Sequence, residues 1–94
     1  MTLVGKRLLT EFAQRHAAAR DTIAAWAAEV EAAAWRSPAD LKARYASASI
    51  VANDRVVFNL KGNRFRLDAQ INYSAQIVLV RRIGTHAEYD SWTF

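Results

Sequence analysis

Near the end of the chain stand His86, Tyr89 and Asp90, interleaved with Thr85 and Glu88 in the run THAEYD. Thr85 and Glu88 have the spacing of a capping box, which predicts a short helix beginning at Thr85. His86 then lies in the first turn, with Tyr89 and Asp90 on its own face of the helix. Unpaired N–H groups and the helix dipole disfavour a protonated imidazole there, and a neutral imidazole close to arginines can accept a proton. The same spacing also suits a histidine that only packs beside its cap, and spacing alone favours that simpler role.

The cations that would complete such a site lie just upstream. Between Arg55 and His86 the basic residues are Arg55, Lys61, Arg64, Arg66, Arg81 and Arg82, and the only acid is Asp68. The formal net charge of the whole chain is +4. Basic residues gathered on one element set imply an anionic partner, with nucleic acid first and an acidic protein segment second.

The strands that must carry these cations can be assigned a register. Gly62 and Asn63 read as a two-residue loop with glycine first, which suits a type II′ hairpin turn. Lys61 then faces Arg64, Asn59 faces Arg66 and Val57 faces Asp68 on one side. Leu60 with Phe65, Phe58 with Leu67 and Val56 with Ala69 form the other, apolar side. Like charges opposite each other at Lys61 and Arg64 would repel unless a polyanion or solvent intervened. A second tight turn near Ser74 and Ala75 leads into a strand from Gln76 to Ile83, giving an antiparallel meander. On that strand Val78 and Val80 share one face and Ile77, Leu79, Arg81 and Ile83 the other. Alternation alone does not decide which of Arg81 and Arg82 joins Arg66.

The first half of the chain reads as helical support. Thr2 to Val4 is a candidate short strand ending at Gly5, followed by a helix from Lys6 to about Ala17 with Leu9 and Phe12 inward. His16 closes that helix among charged neighbours and reads as a surface histidine near a helix C-terminus. A second helix is predicted from Asp21, as N-cap, to Trp35, with Ile23, Trp26, Val30 and Ala33 on one stripe. This apolar helix pair packs on the sheet or offers a docking groove. Glu29 and Glu31 are assigned to solvent. Ser37, Pro38 and Asp40 open a short helix to about Tyr45, with Leu41 and Tyr45 inward. An apolar run from Ala48 to Ala52 and a turn at Asn53 and Asp54 lead into the sheet.

Composition limits the alternatives. The chain has 94 residues, 52% of them hydrophobic, with three Trp and four Phe, which argues for one small folded domain over residues 1–94 and against disorder. It has no cysteine, so disulfide and thiol chemistry are excluded. His16 and His86 fall in different elements, and no metal cluster or cofactor motif is expected. No signal-peptide layout or membrane-length apolar run is visible, so a cytoplasmic location without membrane contact is expected.

Taken together, SPADLKARYASASIV, RVVFNLKGNRFRL, INY and RRIGTHAEYD resemble the HigB branch of the RelE-like bacterial toxins. The fold this implies is α+β and RelE-like: two N-terminal helices and a short helix packed on a small, mainly antiparallel sheet, with a short C-terminal helix. The activity implied is that of a type II toxin, an endoribonuclease that cuts messenger RNA on the translating ribosome. A helix-turn-helix antitoxin of the HigA kind would neutralise it. RNA cleavage without metal needs a base for the 2′-hydroxyl, cations for the charge of the transition state and a proton donor for the leaving oxygen.

On this resemblance Arg66 and Arg81 form the phosphate clamp, Lys61 holds the backbone or shares the acid and base roles, and His86 transfers the proton. Tyr89 stacks on a base or bonds a ribose hydroxyl. Arg64, Asn59, Asn63, Asn72 and Tyr73 complete the expected RNA contacts. One departure stands out: Asp68, Ala69 and Gln70 interrupt a strand expected to be more apolar, and Asp68 falls on the basic face, where it is expected to pair with Arg66 or Arg81 or to weaken RNA binding. A non-catalytic RNA-binding or antitoxin-docking module on the same scaffold is the alternative. An operator-binding protein is disfavoured, because the helical half has no basic recognition helix.

Overall fold

A computed structural model describes residues 1–51 and 54–94. Three outer elements begin the chain: β1 (Thr2–Val4), α1 (Lys6–Arg15) and, after a 3-10 turn at Ala17–Ala19, α2 (Arg20–Ala32). Then come α3 (Pro38–Arg44), β2 (Ser49–Ile50), β3 (Arg55–Leu60), β4 (Phe65–Asn72), β5 (Ile77–Thr85) and α4 (His86–Tyr89). The five strands form one sheet in the order β1-β5-β4-β3-β2. Only β1 on β5 is parallel; the other three pairings are antiparallel. This is the expected α+β arrangement, with β1 and β2 added at the edges of the predicted meander.

One face of the sheet carries the apolar core, because alternation on β3 and β4 sends Val56, Phe58, Leu60, Phe65, Leu67, Ala69 and Ile71 to the same side. Leu9 and Phe12 of α1, Ile23, Trp26 and Val30 of α2, and Leu41 of α3 close over them. Trp26, Trp35 and Tyr45 meet Phe58 with ring centroids 5.2, 6.3 and 5.3 Å away, so one phenylalanine links the helical half to β3. At Gly5, φ is +95° and an added Cβ would lie 3.0 Å from the Val80 carbonyl oxygen. The turn from β1 into α1 therefore needs glycine.

Several local expectations hold and others are corrected. Ser37 caps α3 by accepting the Asp40 N–H at 3.3 Å, with Pro38 at the first helical position. Asp21, by contrast, lies inside the first turn of α2; Ala19 is the cap residue, because the 3-10 turn feeds straight into the helix. Glu29 keeps 40% side-chain exposure, as expected of a solvent-facing carboxylate, but it is not free. It accepts from the Tyr45 hydroxyl and from Arg44, tying α2 to α3, and these bonds lower its pKa while burial and the same bond raise that of Tyr45. The predicted turn at Asn53 and Asp54 falls partly outside the described residues, as does the Ala52 end of the apolar run.

The hairpin register from Val56↔Ala69 to Leu60↔Phe65 is as predicted, but the loop is longer. Lys61 and Gly62 both adopt positive φ, 52° and 66°, so Lys61 leaves the strand and the loop spans four residues. The Lys61 ammonium donates to the Ala18 carbonyl at 3.0 Å instead of facing Arg64 as a strand neighbour.

Between β4 and β5 the register shifts at Asp68 and Ala69. Ala69 pairs with Val80 and Asp68 with Arg82, leaving Arg81 as the extra residue of a β-bulge. Strict alternation would have sent Arg82 to the core with Val80. The bulge instead brings Arg82 opposite Asp68 and turns Ile83 onto the core, where it packs.

Candidate RNA-cleavage site at the end of the sheet

The side of the sheet away from the helices is organised by Asp68, which is fully buried. Arg55 donates to it through Nε at 2.9 Å and through Nη2, and Arg82 through Nε at 2.8 Å. A carboxylate without water needs such partners, since a lone buried charge is costly. The bond to Asp68 also raises the pKa of Arg55 against the opposing effect of burial. Aromatic side chains of the C-terminal tail roof the two guanidinium groups. Trp92 lies 4.6 Å from that of Arg82, and Phe94 lies 5.0 Å from Arg82 and 5.5 Å from Arg55. Arg82 also donates to the Thr93 carbonyl at 2.8 Å, which fastens the tail.

Arg66, two residues before Asp68 on the same face, is held differently. Its side chain is almost buried, at 8% exposure, and Nη1 donates to the Asn63 carbonyl at 2.9 Å. Its guanidinium lies 5.2 Å from the ring of Tyr89. Among the described residues it makes no ion pair, so its charge is uncompensated where those of Arg55 and Arg82 are spent on Asp68.

Helix α4 delivers the remaining groups, and both halves of its capping box form. The Thr85 N–H donates to Glu88 Oε1 at 3.0 Å, and the Glu88 N–H donates to Thr85 Oγ1 at 3.2 Å. The first of these bonds lowers the Glu88 pKa, and the charges of His16 and Arg15 add to the effect. The His86 N–H donates to the Arg64 carbonyl at 3.0 Å, fixing the start of the helix to the hairpin loop. The His86 and Tyr89 rings stand edge to face, 6.4 Å between centroids. Gly84 allows α4 and the tail to close this tightly: an added Cβ would lie 3.0 Å from Trp92 and 3.2 Å from Glu88 Cβ.

The arrangement gathers an exposed imidazole, a tyrosine and a buried guanidinium without a counter-ion at one end of β4. Such a set can bind a phosphodiester and move a proton beside it. The groove of about 350 Å³ between α1 and α2, lined by Leu9, Ala13, Ile23 and Ala27, holds no comparable set.

Residues 19–92 match the model of the HigB toxin family, described as the RelE-like toxic component of a toxin–antitoxin system. The chain belongs to this family. It is 26% identical over 95 aligned residues to the mRNA interferase toxin HigB of Escherichia coli K12, spanning 99% of this chain and 91% of that protein. The same figures hold for the proteins named mRNA interferase HigB in Escherichia coli O157:H7 and Shigella flexneri. Among the described residues of this HigB-family chain, no helix is long and apolar enough to cross a membrane.

The expected site residues of this toxin-family chain separate into three groups. Arg66, Tyr89 and His86 converge, with Asn63 and Arg64 joined to them through their carbonyl groups. Lys61 and Asn59 lie on the flank, the first on Ala18 and the second donating to the Ser47 carbonyl at 2.9 Å. Asn72 and Tyr73 do not line the same cleft. Asn72 ends β4, six residues and roughly 20 Å from Arg66, and Tyr73 follows it in the turn. There the Asn72 carboxamide closes the next turn by accepting from Ser74 and Ala75, both at 3.0 Å.

Two further corrections concern charge. Asp68 pairs with Arg55 and Arg82, not with Arg66 or Arg81, because the bulge aligns Arg82 with it. Arg81 is the exposed extra residue of the bulge, and among the described residues no contact joins it to Arg66. Asp90 stands 3.7 Å from His86 Nδ1, beyond hydrogen-bond reach, with both side chains more than half exposed. Sequence reasoning missed the roof formed by Trp92 and Phe94. The alternation of aromatic residues in SWTF was its only visible signal.

Proposed function

We propose that the protein is a toxin domain over residues 1–94 that cleaves messenger RNA on the translating ribosome in the cytoplasm. The observation that carries this reading is Arg66 held under Tyr89 without a counter-ion, on the same helix face as His86. In the reaction His86 takes the proton of the 2′-hydroxyl as that oxygen attacks the adjacent phosphorus. The bond from phosphorus to the 5′-oxygen breaks, and a solvent water protonates the departing oxygen, leaving a 2′,3′-cyclic phosphate and a 5′-hydroxyl. Arg66 stabilises the charge growing on the non-bridging oxygens, and Tyr89 stacks on the neighbouring base. Lys61, Arg64, Asn59 and Asn63 border the same end of the sheet and contact the RNA backbone, and the exposed Arg81 adds a further cation.

A helix-turn-helix antitoxin of the HigA kind neutralises the toxin. The family membership and the mRNA interferase relatives support the substrate class. One observation favours the alternative of a non-catalytic RNA-binding or antitoxin-docking module. Arg82 is engaged by Asp68, so a single buried guanidinium serves the phosphate.

Mapping the ends of a transcript incubated with the purified chain, with and without ribosomes, distinguishes the readings. Cuts that require ribosomes and vanish in His86→Ala support the nuclease; binding without any cut supports the alternative. Growth arrest on induction, relieved by His86→Ala, is the matching outcome in cells.

A further inference from the structure

The end of α1 comes close to the hairpin and to Glu88 of α4. The Phe12 and Phe65 rings meet edge to face at 5.6 Å, and three cationic or titratable side chains surround them. The Arg15 guanidinium lies 5.8 Å from Phe12, and that of Arg64 lies 5.6 Å from Phe65. His16 stacks on Phe12 at 4.3 Å and stands 5.9 Å from Phe65. Lys61, docked on Ala18, flanks the group. Two carboxylates of the described residues stand nearby, both already engaged: Glu88 accepts the Thr85 N–H, and Glu11, four residues before Arg15 on α1, accepts from Arg7. The Glu88 pKa is lowered chiefly by the bond from the Thr85 N–H, with smaller contributions from His16 and Arg15, which places both near Glu88.

We infer that this collar of Arg15, His16 and Arg64 is a second RNA-binding site that takes the phosphodiester groups of nucleotides flanking the cut. The inference rests on the RNA-cleavage reading. Arg64 is the link, since its carbonyl accepts the His86 N–H at 3.0 Å, so the collar adjoins the reacting groups. A polymer seated on His86 and Arg66 continues past this point, and each phosphate it carries meets a cation. An acidic peptide is a poorer fit. Phe12 and Phe65 are buried, at 1% and 4% exposure, and offer no apolar slot for its side chains. The sequence reading had set His16 aside as a surface residue; its place between two phenylalanines and α4 gives it this use.

The test is anisotropy titration of two RNAs made uncleavable by 2′-deoxy substitution at the cut, one of about three nucleotides and one of about twelve, across a salt series. Arg15→Gln is expected to reduce the salt slope for the long RNA by about 0.7, the loss of one single-strand phosphate contact, and to leave the short RNA unchanged. Ala17→Lys, which adds a cation at an exposed neighbouring position, is expected to raise that slope by a similar amount. If both variants match the wild type on the long RNA, the collar proposal is overturned while the cleavage reading stands. If Arg15→Gln weakens only the binding of an acidic antitoxin segment, the collar is a protein site and the proposal again fails. Failure of the wild type to bind the long RNA overturns the collar proposal, whereas the cleavage reading is decided separately by the mapping of transcript ends with ribosomes present.

Discussion

Replacing Asp68 by Asn keeps its shape and removes its charge, leaving Arg55 and Arg82 facing each other beneath Trp92 and Phe94. Removing one partner of a fully buried ion pair costs roughly 3–5 kcal/mol. Asp68 is fully buried, but the Arg55 and Arg82 side chains keep 19% and 33% exposure, so water recovers part of the loss. The lower end, about 3 kcal/mol, is therefore expected. For a chain of this size the whole stability is about 5–14 kcal/mol, so the change is a large fraction of it. In thermal terms it corresponds to a fall in Tm of roughly 12–24 °C. Urea denaturation followed by circular dichroism measures the difference directly, provided the slope against urea is unchanged. A triple variant with Arg55→Met, Asp68→Leu and Arg82→Met is expected to recover most of the loss, because it leaves no unpaired charge. If Asp68→Asn stays within about 1 kcal/mol of the wild type, the buried triad does not hold the roof in place and the reasoning is refuted.

Other outcomes follow from the same geometry. Gly84→Ala is expected to cost about 1–3 kcal/mol and to displace Trp92 or α4, visible as a change in near-ultraviolet circular dichroism, since its Cβ would meet Trp92 at 3.0 Å. Ser37→Ala removes the cap of α3 and is expected to cost about 1 kcal/mol in urea denaturation. Glu88 has a lowered pKa in the folded chain, so its capping contribution is fully present above the ordinary carboxylate range and is lost as pH falls through the depressed value. The protection of the Thr85 amide, with exchange referred to the intrinsic rate at each pH, is expected to fall on acidification in the wild type, and Glu88→Gln is expected to remove that dependence.

The sequence made the backbone around the site legible and left its charges obscure, for physical reasons. Hairpin register followed from strict alternation of Val56, Phe58 and Leu60 against Phe65, Leu67 and Ala69, a local pattern with one solution. The capping box at Thr85 and Glu88 and the Ser37 cap were likewise written in adjacent residues. The bulge at Arg81 has no such signature. It depends on how β5 meets β4, and it decides which of two adjacent arginines reaches Asp68. Asn72 and Tyr73 were placed near the site on the family resemblance, yet the length of β4 separates them from Arg66. The tail over Arg55 and Arg82 is a long-range contact between residues that show no periodicity, which hid Trp92 and Phe94.

The central claim is that Arg66 and His86 act on one phosphodiester as a unit. Single-turnover cleavage of a ribosome-bound message by Arg66→Gln, His86→Gln and the double variant tests it most directly, with folding checked by urea denaturation. The account predicts that each single change nearly abolishes cleavage and that the double change is little worse than either. Full cleavage by His86→Gln, or losses that simply multiply in the double variant, would contradict it.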